Sequence, residues 1–192
     1  MQPTGSVDIT ETQVVLARAT SLQLIRFRWA ATPKVLETMS SYTHYWTNKT
    51  CDESTAFEGH RRPLDHAAGS QFLRNGVRVG DNIYVVTVRK GRLFLIARFT
   101  VGKITKSDVE ARRYLDYEPW SAPDHLHAEP GSGTVCNFDR EVPLDRVRQL
   151  RFETKARIRE PVFKDNSRLD TQTMRGVRKL TAISAKILEA LL

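Results

Sequence analysis

The segment 83–99 limits the possible folds more than any other part of the chain. Gly80-Asp81 precedes an apolar run, Ile83-Tyr84-Val85-Val86, and after a Lys90-Gly91-Arg92 turn a second apolar run occupies 93–99. Two such runs joined by a short glycine-containing turn make a β-hairpin, so strands are expected at 82–89 and 92–101. Gly102 permits a bend or bulge as the chain leaves the second strand. A hairpin of this kind belongs inside a small β-barrel.

The flanking pattern fills in an α+β domain. Residues 42–47 (YTHYWT) read as a first strand, the polar stretch 48–62 as a loop, and 71–75 as a short helix. Ser107-Asp108 can cap a brief helix over 109–115. A Pro-rich loop is expected over 118–133, strands over 134–140 and 147–154, and a helical turn opened by Pro143. In the tail, Asp170 or Thr171 can cap a helix running to Lys179, and Thr181 a second over 182–191. The expected organisation is a 1–38 extension without regular structure, a barrel over 39–160 with flanking helices, and a C-terminal helical pair over 161–192 packed on the barrel.

Charge narrows the partner. The 30 Lys and Arg against 22 Asp and Glu leave a formal charge of +8, and from 137 onward 13 basic residues face 8 acidic ones. Such a balance favours a polyanion such as nucleic acid. The two cysteines, Cys51 and Cys136, form no CxxC and suit a reducing cytoplasm. No apolar run is long enough for a membrane-spanning helix, so no membrane partner is expected.

The order HYWTN (44–48), AGSQF (68–72), GVRVGDNIYVV (76–86) and GRLFLIARF (91–99), with LRF (150–152) and LDTQTMRGVRKLT (169–181), resembles the PUA-like superfamily and, within it, the EVE and YTH-like domains. The resemblance covers about 40–159. It implies a small mixed β-barrel that reads a modified, for example methylated, base in DNA or RNA. For bacterial relatives it also implies a setting in defence and restriction, with any nuclease as a separate partner or fused module. The Trp and acidic landmarks of EVE proteins are not cleanly present after the first strand.

A protein that reads one base must take it out of the stack and offer a new stacking face, worth roughly 1–3 kcal/mol per base. Trp46, ending the first strand, suits either that role or the core. Trp120 lies in a Pro-bounded loop where packing gives a large aromatic less reason to be, so a pocket wall is the better reading. Tyr45 alternates with Trp46 and faces the other way unless the strand ends there. Asn48, Gly69, Ser70 and His66 are candidate polar or close-approach groups for the base edge. Arg61, Arg62, Arg74 and Arg78 are candidate phosphate contacts at the pocket mouth.

Enzymatic readings find less support. His125-Leu126-His127 with Asp124 and Cys136 is a weak metal set. Asp65-His66 ahead of Ser70 has the residue types of a hydrolase without a GxSxG elbow, and no Walker loop, GxGxxG or HExxH occurs. A binding module needing no cofactor or metal is expected. A protein-interaction module docking a partner through the basic C-terminal region is the alternative, and a nucleotide hydrolase ranks last.

Overall fold

The computed structural model describes residues 39–58 and 62–192. The 1–38 extension and Arg61 lie outside the described residues. In chain order the elements are β1 (Ser41–Tyr45), α1 (Asn48–Glu58), β2 (His66–Gly69), β3 (Asn82–Arg89), β4 (Arg92–Thr105), α2 (Asp108–Ala111), β5 (Asp124–Ala128), α3 (Leu144–Gln149), β6 (Phe152–Glu153), β7 (Ile158–Arg159), β8 (Val177–Leu180) and α4 (Ala182–Glu189), with 3-10 turns at Leu73–Asn75 and Thr171–Thr173.

The hairpin is the centre of the molecule. One sheet runs β2-β5-β4-β3-β1-β8-β6-β7, with β1 parallel to β3 and the remaining pairs antiparallel. Sheet faces are covered on both sides, which explains the unbroken apolar run in β3. Ile83 and Val85 join a cluster with Phe72, Phe99 and Trp46, whereas Tyr84, Val86 and Val88 join another with Leu150, Met174 and Leu188. At 14 residues, β4 serves both halves, pairing with β3 and then, past a register shift between Val101 and Lys103, with β5. Gly102 sits in that shift, where a Cβ would lie 2.8 Å from the Glu129 backbone.

The α+β class describes this arrangement, but strand pairing among the described residues does not close it into a barrel. Edge strands β2 and β7 are four and two residues long and lie at opposite ends of the order. Closure demands a consistent stagger around a full ring, and strands this short do not supply it.

Four local expectations are corrected. Residues 48–58 are helical: the Thr47 hydroxyl accepts the Thr50 amide at 3.1 Å and Lys49 pairs with Glu53 one turn on at 3.6 Å, but the helix has too little apolar periodicity to stand out. Within the expected 118–133 loop lies β5, hidden because its histidines read as polar although His125 and His127 are buried. The expected strand at 134–140 instead runs irregularly beside β4, through amides such as Asn137 N donating to Ile96 O at 2.8 Å. The first helix of the expected C-terminal pair is a 3-10 turn capped by Asp170, followed by β8. Met174 and Val177 have the spacing of a helical face, but Gly176 at φ +78° turns the chain between them, and the strand that follows slots between β1 and β6. Only α4 remains of the pair, capped by Thr181 as expected.

Because β8 is an interior strand, deleting 177–192 is expected to abolish cooperative unfolding rather than trim an appendage. A thermal melt followed by circular dichroism checks this; a cooperative transition at the parent temperature would contradict it.

Candidate ligand-binding site

A cavity of about 380 Å³ opens between β1, α1, β2 and residues 117–120. This lies at the small end of the range for ligand sites, roughly 300–1,000 Å³. Its floor begins with Trp46, 9% exposed and part of the core cluster. The Trp46 amide donates to Val86 O at 2.9 Å, and its carbonyl accepts the Thr87 hydroxyl at 2.8 Å. The strand end that carries this indole is therefore tied to β3, and the ring is held in one place.

Trp120 forms the rim, 49% exposed. Its segment is pinned from behind by Asp108, whose carboxylate accepts the Ser121 hydroxyl at 2.7 Å and the Ala122 amide at 3.0 Å. These bonds hold the Asp108 pKa down to about 2. Tyr117, also on the wall, donates its hydroxyl to Asp65 at 2.9 Å.

A hydrogen-bonded chain of side chains reaches the cavity from this same carboxylate. His125 Nε2 lies 2.9 Å from both Asp108 Oδ1 and Ala122 O. Both are acceptors, so the His125 proton resides on Nε2. In the neutral ring Nδ1 is then the acceptor for His66 Nε2–H, 3.0 Å away. His66 thus enters the cavity wall with its tautomer set by its neighbours. Burial, reinforced by the charges that His127 and His125 can carry, lowers its pKa to about 3. His44, opposite, packs its ring 4.7 Å from that of Phe72 and leaves Nδ1 buried without a partner. Burial lowers its pKa to about 4. Both imidazoles present uncharged walls at neutral pH.

These shifts have a consequence for acid stability. A folded-state pKa below the unfolded value of about 6.5 means that the unfolded chain binds more protons once the pH drops below 6.5. The contribution of His44 and His66 is whole above that point and is lost as the pH falls toward their folded values. Denaturant titrations are expected to show roughly 5 kcal/mol less stability at pH 4.5 than at pH 7.5, with His66→Gln reducing the difference.

Of the residues singled out from sequence, the structure brings Trp46, Trp120, Tyr45 and His66 to one cavity. Tyr45 and Trp46 do diverge, since Tyr45 packs against the second core cluster, but both border the opening where β1 ends. Asn48, Gly69 and Ser70 are not in the lining. Asn48 Oδ1 accepts the Thr87 hydroxyl at 3.3 Å. At Gly69 a Cβ would meet the Phe72 ring at 2.9 Å, which is a packing reason for glycine, and Ser70 is exposed.

The arginines separate. Arg62 is held by Asp116 at 3.0 Å and Asp65 at 3.5 Å, Arg78 gives its amide to Asp81 at 2.8 Å, and Arg74 lines a different groove. Sequence reasoning missed His44, Tyr117 and the Asp108–His125 support. His44 was within reach, because it stands two residues before Trp46 on the same strand face. The support was not, since it joins residues from three elements.

No family model matches the chain, and no curated protein matches it. Among solved structures it is similar to the YTH domain of the Zygosaccharomyces rouxii MRB1 protein in complex with N6-methyladenosine RNA. The identity is 14% over 81% of this chain and 85% of that one, at a TM-score of 0.42. A likeness of that size assigns neither family nor ligand.

Proposed function

We propose that this chain is a nucleic-acid-binding module that takes a single modified nucleobase, flipped from its strand, between Trp46 and Trp120. The observation that carries the reading is the joint presence of those two indoles in one cavity, the first fixed in the core and the second half-exposed at the rim. A heterocycle entering there exchanges stacking on its neighbours for stacking on indole. The uncharged state of His44 and His66 favours a neutral ligand over an anionic one. The positive balance of the whole chain then serves the phosphates, and the role is binding rather than turnover.

Titration with a panel of DNA and RNA oligonucleotides, each carrying one modified or unmodified base, tests this at two salt concentrations. At least a tenfold preference for one modification is expected, with the same salt slope for modified and unmodified strands. Equal affinity across the panel would remove the reading.

A further inference from the structure

A second concave surface, of about 660 Å³, lies between the 3-10 turn Leu73–Asn75, the β6–β7 hairpin and β8. We propose that it is an oxyanion site that holds phosphodiester groups of a nucleic-acid strand. The inference rests on the proposed function only for the class of ligand, since the groove shares no lining residue with the indole cavity.

The argument starts from unbalanced charge. Arg74, Lys155, Arg159 and Arg178 all line the groove, and none forms an ion pair among the described residues. Three carboxylates, Glu153, Glu160 and Asp170, line the groove as well, against five basic side chains once Lys179 is included. Glu153 holds Lys179 at 2.9 Å and Glu160 holds Arg151 at 3.0 Å, while Asp170 accepts the Gln172 amide at 3.1 Å.

Arg178 is the most telling. Its Nε is buried without a partner, and its Nη2 reaches Gln172 O only at 3.5 Å. Burial lowers its pKa, and the positive charge of Arg159 lowers it further. Two guanidinium groups that repel each other, one with an unmet donor, form an arrangement that a shared phosphate oxygen relieves by charge-assisted hydrogen bonds.

Position supports the choice of a strand over a free anion. Val177, in the groove wall, is the register partner of His44, in the cavity wall. The two sites therefore flank a single strand pair, within reach of one oligonucleotide.

The test titrates the full chain, the Arg159→Gln/Arg178→Gln double variant and Trp120→Ala with fluorescent single-stranded oligonucleotides, from 50 to 200 mM salt (roughly the range over which such contacts are read). Arg159→Gln alone, at an exposed position, serves if the double variant does not fold. The double variant is expected to bind modified and unmodified strands about tenfold more weakly, with a salt slope lower by about 1–2. Wild-type affinity and slope in a folded variant would overturn the proposal. So would inorganic phosphate binding that depends on both arginines while oligonucleotide binding does not, which would assign the site to a free anion. Loss of modification preference with the arginine dependence intact would sink the base-reading function and leave this groove standing.

Discussion

Trp120→Ala is expected to weaken binding of the preferred modified oligonucleotide by about 10- to 100-fold, the size of one lost base–aromatic stack of roughly 1–3 kcal/mol. Affinity for the unmodified strand should change much less, because phosphate contacts carry most of it. The melting temperature is expected to stay within a few degrees, since the ring is 49% exposed and its removal opens no core cavity. The partner indole behaves differently. Trp46 is 9% exposed within the main core cluster, so Trp46→Ala should cost about 3–5 kcal/mol of stability and confound any binding measurement. Fluorescence anisotropy paired with thermal melts separates the two effects. Unchanged discrimination in folded Trp120→Ala would show that the rim indole takes no part in recognition.

Gly133→Ala is expected to be the most damaging single methyl addition among the described glycines. A Cβ there would fall 2.1 Å from the carbonyl oxygen and 3.0 Å from the carbonyl carbon of Leu64. These are backbone atoms that cannot rotate away. The two segments are also held together at this point, with the Leu64 amide donating to Thr134 O at 3.0 Å and Pro63 bridging to Val135. Relief requires the two segments to part, breaking those bonds and moving Leu64, which lines the cavity. We expect a loss on the order of 3 kcal/mol together with weakened ligand binding, measured by chemical denaturation and titration. Gly131→Ala is the control. Nothing lies within 4 Å of its Cβ position, and only its φ of +76° opposes the change, so about 1 kcal/mol is expected.

Features written into a few consecutive residues were legible before any coordinates. The β3–β4 hairpin follows from two apolar runs about a Gly turn, and Ser107 and Thr181 cap the helices they precede. Trp120 stood out because a Pro-bounded loop gives an indole nothing to pack on. Where residues were judged by type alone, the reading failed. The histidines of β5 looked like loop polarity, but inside the protein His125 bonds His66 and Asp108, and His127 bonds Thr105. Met174 and Val177 looked like a helical stripe, but they enter different core clusters on either side of the Gly176 turn.

The chain's local pattern was sufficient for the central hairpin, the caps, the basic balance and the aromatic candidates, because each depends on neighbours a few residues apart. Long-range pairing settled the rest. It inserted β8 beside β1, left the sheet of the described residues open at β2 and β7, brought Trp46 and Trp120 to a common cavity, and left Asn48, Gly69 and Ser70 outside its lining. The physical reason is that a buried polar group or a strand edge is stable only when a distant segment supplies its hydrogen-bond partner, and that partner is chosen by the folded chain as a whole.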